Sequence, residues 1–481
     1  MKEIKKIISI LIIGDSINKE VFNDICGYSL DKEQIKVCLC KKDSILVVAG
    51  AGSGKSLTMI GKIKYLIEIE KIKPSEILCI TFTKAAAKSL EDKINNYYNY
   101  GIKVYTFHKL SLEILNEKVN IATDDLLKYI IDEYFYIIDN KFIVKKVLGL
   151  IDYSYDYILK SKELYNLKRL IITFINLFKT NNYNLKHFLK IKKNKELIRI
   201  IIDIYLLYES ELRSTNSLDF NDMIVKATKK VKNEGIWNIK YIIIDEYQDT
   251  SYVRYLLVKE IINKTKSKII CVGDDYQSIY RFNGCNLNMF INFKKYFKHS
   301  KILKISNTYR NSQELIDVAG YFIQKNKKQI YKRLKSNKHI NKPIKIMYGN
   351  NLNKLINKVK EKRILILGRN NFDINKYNYK KNNDIEYMTI HKSKGLEEEA
   401  VIIINLKDDI LGIPNKIKDN KILNYVNKKR CEYPYDEERR LFYVAMTRTK
   451  NNLYLLVDKS NPSIFIKEII KKYDKYIEYL T

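Results

Sequence analysis

The run Ala49-Gly50-Ala51-Gly52-Ser53-Gly54-Lys55-Ser56 has the residue types and spacing to cradle phosphate groups. Small residues let successive backbone N–H groups close around an anion, and a helix that starts at the end of the run adds the positive end of its dipole. Lys55 is expected to reach the β- and γ-phosphates of a nucleotide, and Ser56 to bind magnesium. Asp245 and Glu246 form a second cluster. Adjacent carboxylates at the end of a buried strand are costly unless they serve a metal and a water. Asp245 is expected to hold magnesium and Glu246 to position or deprotonate the attacking water. In the third cluster, Gly273-Asp274-Asp275-Tyr276-Gln277, Gln277 is placed to sense a γ-phosphate.

Such groups must be delivered by strands that end together. Ile45 to Val48 reads as a buried strand that leads through the phosphate loop into a helix over Leu57 to Leu66. Tyr241 to Ile244 and Lys268 to Val272 read as two more strands of the same kind, each ending in one of the other clusters. Near-continuous apolar strands that carry chemistry at their carboxyl ends predict an α/β fold with parallel sheets flanked by helices.

With these motifs in place the chain resembles superfamily-one DNA helicases of the UvrD, Rep and PcrA group. The resemblance rests on the phosphate loop, on Asp245-Glu246-Tyr247-Gln248-Asp249-Thr250 and on Gly273 to Tyr280, in that order and spacing. It implies two RecA-like lobes of the P-loop NTPase type that clamp ATP and Mg2+ between them. It also implies that Gln34 reads adenine, that Tyr309 stacks on the base, and that Arg310 and Arg448 reach the γ-phosphate from the second lobe. Glu397, in the run Thr389 to Glu397, joins the nucleotide set. Thr81, Phe82, Thr106, Phe107, His108, Tyr280, Phe282, Thr389 and His391 are implied to face single-stranded DNA. Bases stack on aromatic rings without sequence preference, and hydroxyls suit phosphates. The stretches Arg281 to Phe293 and Tyr435 to Val457 are similar to DNA helicase IV and its relatives.

Motif order sets the expected organisation: an N-terminal extension over 1–27, lobe one (1A) over 28–114 and 206–298, a helical 1B-like insertion over 115–205, and lobe two (2A) over 299–481. Asp125 to Phe135 and Leu197 to Tyr208 supply amphipathic helical runs. Lys145, Lys146, Lys160 and Lys168 fit a solvated helix face better than a DNA contact. The Lys/Asn-rich run from Lys325 to Asn341 is expected to form loops or exposed helix ends. The chain departs from the resembled group in several places. Asn370 and Thr389 stand too close for an independent 2B domain, which needs at least about 50 residues. Asn283 replaces an Arg, Arg254 a Gln, Leu57 a base-stacking Arg of some members, and Lys84-Ala85 an Asn-Lys pair.

Composition agrees without deciding the matter. The 481 residues carry 88 Lys and Arg against 55 Asp and Glu, a formal charge of +33. Such a surface attracts polyanions, although a chain loaded with Lys, Asn, Ile and Tyr by an A/T-rich genome would carry the same excess. The seven cysteines show no CxxC pair, which suits a reduced, cytoplasmic protein. The apolar run Ile7 to Ile13 is too short for a membrane span, and Gly14 and Asp15 close it. The resemblance implies 3′-to-5′ movement of a monomer on single-stranded DNA and at junctions with duplex. Three alternatives stay open: a translocase that does not separate strands, a binder without enzymatic activity, and an RNA track.

Overall fold

Runs of β-branched and aliphatic residues with little polar alternation form strands buried on both faces, as parallel sheets demand. The computed structural model describes residues 20–123, 125–377, 384–427 and 433–481. In chain order the strands are β1 (Ser44–Ala49), β2 (Ile77–Thr81), β3 (Val104–Thr106), β4 (Asn120–Ile121), β5 (Ser217–Leu218), β6 (Tyr241–Ile244), β7 (Lys268–Gly273) and β8 (Ser300–Ile305). They continue with β9 (Ile344–Tyr348), β10 (Ile364–Gly368), β11 (Ile385–Thr389), β12 (Ala400–Leu406), β13 (Leu453–Val457) and β14 (Ile477–Leu480).

Two six-stranded sheets result, ordered β3-β2-β6-β7-β1-β8 and β11-β10-β12-β13-β9-β14. Every pairing among these strands is parallel, so all strands of a sheet end at one edge. β1, β6 and β12 are buried along their whole length. Helices cover the faces: in the first sheet, for example, Lys55–Glu68 buries Met59, Ile60, Ile63 and Leu66 against a cluster that includes Val47, Cys79 and Ile243. The expected α/β architecture of two RecA-like lobes is present.

One expected boundary moves. Lobe two is expected from residue 299, but β8 pairs with β1 along Ser44↔Ser300 to Ala49↔Ile305 and so closes the edge of the first sheet. The segment after it stays with that sheet as well, because Thr308 Oγ1 donates to the Ala51 carbonyl (2.7 Å) and the Tyr309 N–H to that of Gly52 (2.9 Å).

Between β4 and β5 lie the helices Leu126–Ile137, Lys141–Leu148, Tyr155–Leu159, Lys162–Thr180 and Lys195–Ser214. Apolar residues at helical spacing, such as Leu127, Ile131 and Phe135 or Phe174 and Phe178, build a core of their own. The last helix runs past residue 205, and β4 and β5 pair at the base of the layer. Lys146 and Lys168 form ion pairs with Glu196 (2.8 Å) and Asp132 (2.6 Å) on the outer face. A strap from the second half of the chain also enters this core: Ile422, Leu423 and Val426 are buried in it, and Asn181 donates to the Val426 carbonyl (2.9 Å).

No described helix is long and apolar enough to cross a membrane. The six described cysteines are free. The run Ile7 to Ile13, most of the 1–27 extension and Cys431 lie outside the described residues.

Candidate nucleotide-binding seam and nucleic-acid face

The phosphate loop joins the buried β1 to the helix Lys55–Glu68, and its shape depends on glycine. Gly52 and Gly54 have φ of +68° and +73°, the left-handed region that a Cβ disfavours. Space imposes the same choice. A Cβ at Gly52 would stand 2.5 Å from Arg310 Cβ and 2.8 Å from Thr308 Oγ1, and one at Gly54 2.7 Å from Gln34 Nε2. Ala49 and Ala51 are buried, and Ser53 Oγ donates to the Gly50 carbonyl (3.0 Å). Lys55 Nζ rests 3.4 Å from the same carbonyl. Ser56 lies on the exposed first turn of the helix.

β6 and β7 deliver the acids and the sensor at the same edge. Burial and the adjacent Glu246 push the Asp245 carboxyl up to about 7, against the pull of Lys55. Burial would raise Glu246 too, but Lys55 and Lys394 outweigh it and hold Glu246 below its ordinary value. Glu246 has φ of +49° and accepts from Gln248 Nε2. Gln277 donates from Nε2 to Asp274 (2.7 Å) and accepts from Arg448 through Oε1 (3.0 Å).

The opposite side comes from the second sheet, which supplies Arg448; Arg310, expected from the second lobe, instead comes from the segment after β8, whose backbone stays with the first sheet while its side chain reaches across. Arg310 pairs with Glu397 (2.7 Å) and donates to the Thr447 carbonyl (3.2 Å); Lys450 also meets Glu397 (3.2 Å). Arg448 is fully buried, and besides Gln277 it bonds the carbonyls of Val444 (3.0 Å) and Leu396 (3.1 Å). Burial, reinforced by the like charge of Arg310, lowers its pKa to about 9. Gln34 is buried; its Oε1 accepts from the Asp31 N–H (2.9 Å) and its Nε2 donates to the Ser53 carbonyl (3.2 Å). Tyr309 is 62 % exposed and donates to Asp31 Oδ2 (2.7 Å). Lys55, Asp245, Glu246, Gln277, Arg310 and Arg448 therefore converge on one seam, with Gln34 and Tyr309 at its rim.

The oxygen donors of Ser56 and Asp245 fit magnesium, which takes one or two protein oxygens and keeps several waters. When bound there, the ion would supply positive charge against the phosphates and offset charge that develops on them.

The expected DNA-facing residues fall into two groups. Phe82 packs on Phe107 (5.6 Å between ring centres), and the His108 ring lies on Phe220 (4.6 Å). Phe107 is buried in the core of the first sheet, and the hydroxyl of Thr106 caps the helix Phe107–Leu115. The hydroxyl of Thr81 is buried without a partner among the described residues. In the second group, Tyr280 donates to the His391 carbonyl (3.0 Å) and the half-exposed Phe282 stands edge-on to the His391 ring (5.6 Å). Thr389 is buried and accepts from the Lys392 N–H (3.4 Å).

Three further residues belong to the seam and its neighbourhood. Lys394 bonds Asp249 and the Gln277 carbonyl (2.8 Å), stands 3.8 Å from Glu246, and lies over the Tyr280 ring (5.0 Å). Arg254, recognised only as a departure from the resembled group, lies over the rings of Phe82 (5.0 Å) and Phe107 (5.6 Å). Lys332 lies in the Lys325 to Asn341 run, outside helix and strand as expected of a loop, yet it is buried against Asp274, Asp275 and the Tyr276 ring. Two buried carboxylates at a strand end demand a cation, and that demand was the available signal.

Parallel strands that bring a phosphate loop, paired acids and a glutamine to one edge, facing two arginines held beside a second sheet, define a P-loop nucleotide-binding protein of two RecA-like lobes. Residues 30–298 match the model for the UvrD/REP helicase N-terminal domain, and residues 194–457 match the viral superfamily 1 RNA helicase core domain. The chain belongs to the UvrD/REP helicase family. Among similar proteins, DNA helicase IV of Escherichia coli (strain K12) is 26 % identical, with 95 % of this chain and 72 % of that protein aligned. ATP-dependent DNA helicase Rep of Buchnera aphidicola subsp. Schizaphis graminum is 32 % identical over 66 % of this chain and 48 % of its own length. Rep of Buchnera aphidicola subsp. Acyrthosiphon pisum is 29 % identical over 90 % and 69 %.

Proposed function

We propose that the chain is an ATP-dependent DNA helicase that moves 3′ to 5′ on single-stranded DNA as a monomer and opens duplex at junctions. The observation that carries the reading is the seam itself. Arg448 contacts the sensor Gln277, and Arg310 sits against Gly52 of the phosphate loop, so a triphosphate there would meet charge from both sides. Lys55 and the loop N–H groups would bind the phosphates, and Ser56 and Asp245 would hold Mg2+. Glu246, kept ionised by Lys55 and Lys394, would orient and deprotonate the attacking water. The two guanidiniums would stabilise charge on the transferring group. Loss of the γ-phosphate removes what Gln277, Arg310 and Arg448 share, and lobes that close and reopen each cycle can step along a strand. The family names support DNA as the track, and the direction follows from family likeness.

A second reading has an observation of its own. β10 and β11 are neighbours in register, Ile364↔Ile385 to Gly368↔Thr389, and residues 369–384 connect them. A connection this short supports the expected lack of a 2B domain at that point, and with it a translocase that remodels nucleoprotein without processive unwinding.

ATP turnover with and without single-stranded DNA, followed by strand displacement on duplexes with a 3′ or a 5′ tail, tests both readings. Stimulated turnover with 3′-tailed displacement supports the helicase. Turnover without displacement supports the second reading, and the absence of turnover refutes both. Stimulation by RNA in place of DNA would overturn the choice of track. In the same assay Arg448→Ala is expected to lower turnover by about a thousandfold or more while it retains nucleotide binding, and full turnover would refute the role given to Arg448.

A further inference from the structure

The strongest unassigned cluster lies behind the sensor glutamine. Asp274 and Asp275 are completely buried at the end of β7, and Lys332 enters between them from the segment that follows the helix Gln313–Gln324. Its ammonium bonds Asp274 and Asp275 Oδ1 (2.6 Å) and lies 3.7 Å from the centre of the Tyr276 ring. The segment is pinned to the same loop by its backbone and side chains: the Ile330 N–H donates to Asp275 Oδ2 (2.8 Å), Gln329 Nε2 to the Asp275 carbonyl (2.9 Å), and the Lys332 N–H to Tyr276 OH (3.3 Å). Two residues on, Leu334 packs over Gly50 of the phosphate loop.

The cluster has a chemical consequence for Gln277. An amide has a donor end and an acceptor end, and an ionised carboxylate accepts but cannot donate. Gln277 therefore turns Nε2 to Asp274 Oδ2 (2.7 Å), and its Oε1 is left to face Arg448 (3.0 Å). An anionic Asp274 enforces this orientation from one side, as the donor Arg448 does from the other. Burial and the neighbouring Asp275 and Glu246 work against the anion; the charge of Lys332, then that of Lys55, with hydrogen bonds from Lys332 and Gln277 and the nearby Arg448, outweigh them. A neutral, protonated Asp274 could donate to Oε1 instead, the amide could rotate, and Nε2 would then meet a guanidinium that is itself a donor.

We infer that Lys332 is a positioning residue for ATP hydrolysis: through Asp274 it fixes which end of the Gln277 amide faces the arginine and the γ-phosphate. The inference rests on the hydrolysis reading above. Lys332 touches no phosphate, so it should act on turnover and leave nucleotide binding alone.

The test compares Lys332→Met, Lys332→Arg and Asp275→Asn with the wild-type chain. Binding of ADP and single-stranded-DNA-stimulated ATP turnover are measured from pH 6 to 9. Lys332→Met is expected to lose about tenfold or more in kcat while ADP affinity stays within about twofold, because misorienting one group at the reacting centre costs turnover rather than affinity. Its turnover should recover as pH rises and Asp274 ionises without help; a merely structural lysine would not produce this change of pH profile. Lys332→Arg should restore most of kcat. Asp275→Asn must turn an amide donor towards Lys332 or the Ile330 N–H and so lowers stability, but it leaves Lys332 paired with Asp274 and should keep the wild-type pH profile.

Because Lys332→Met leaves two buried carboxylates without a cation, the double variant Lys332→Met with Asp275→Asn, which removes one charge of each sign, serves if the single variant does not fold. A folded variant of either kind with wild-type kcat and pH profile overturns this inference while the hydrolysis reading stands. A wild-type chain that does not hydrolyse ATP removes both.

Discussion

Replacing Gly52 by alanine should separate backbone strain from packing against the segment 308–310, because Gly101 supplies a matched control. Both glycines have φ of +68°, so Gly52→Ala and Gly101→Ala place a Cβ on the same disfavoured backbone, at about 1–2 kcal/mol each. Their surroundings differ. Nothing lies within 4 Å of a Cβ at Gly101, whereas a Cβ at Gly52 would meet Arg310 Cβ at 2.5 Å, Thr308 Oγ1 at 2.8 Å and Arg310 N at 3.2 Å. Carbon atoms sit comfortably at about 3.5–4.0 Å, so residues 308–310 must retreat by roughly 1 Å. Retreat stretches the bonds from Thr308 Oγ1 to Ala51 (2.7 Å) and from the Tyr309 N–H to Gly52 (2.9 Å). Overpacking of this kind costs about 1–3 kcal/mol beyond the shared strain. The single tryptophan, Trp237, lies just before β6 in the first lobe, so its fluorescence reports unfolding there. With a urea slope of about 2–3 kcal/mol per molar, the midpoint of Gly52→Ala should fall below that of Gly101→Ala by about 0.3–1.5 M. Equal midpoints would show that the Thr308–Arg310 segment does not press on the phosphate loop without nucleotide, and the account of how Arg310 is delivered would fail.

Two more outcomes follow from the nucleic-acid face. Phe282 is 53 % exposed and Phe107 is buried. Phe282→Ala should therefore weaken single-stranded DNA binding about tenfold, at about 1–3 kcal/mol per stacked base, and leave the urea midpoint unchanged. Phe107→Ala should instead cost about 3–5 kcal/mol of stability. The reverse pattern in titration and unfolding experiments would reassign both residues. Burial, aided by Arg254 and Lys84 at His108 and by Arg369 at His391, lowers both imidazoles from 6.5 to about 4. Below pH 6.5 the unfolded chain takes up protons that the fold refuses, so this stability is complete above 6.5 and is lost as pH falls towards 4. Replacing both histidines with glutamine should flatten the difference between urea midpoints at pH 7 and pH 5; an unchanged difference would show that these rings are not held neutral.

The sites that were legible in the sequence are those where local pattern and chemistry coincide. Ile45 to Val48 before the glycine-rich loop, and Tyr241 to Ile244 before two acids, read as buried strands with costly polar ends, and a parallel sheet gathers such ends at one edge. β8 was not legible as part of that sheet. It lies at the sheet edge with Lys301 and Lys304 exposed, so it lacks the unbroken apolar run of its neighbours, and its partner β1 is remote in sequence. Lys332 was hidden by composition, since in a Lys/Asn-rich run no local feature tells the one buried lysine from the exposed ones.

Asp274 and Asp275 pose, one strand away, the same electrostatic demand as Asp245 and Glu246, and that demand points to a buried cation such as Lys332. That parallel also separates the charges of the seam by purpose. Lys332 and Lys394 answer buried carboxylates within the protein, and Glu397 answers Arg310. Arg448 is bonded only to neutral oxygens among the described residues; Arg310 repels it, and Glu246 and Asp274 attract it without bonding it. Burial still lowers its pKa to about 9, because a guanidinium with no bonded anion is expensive. The γ-phosphate proposed for the seam would supply that anion.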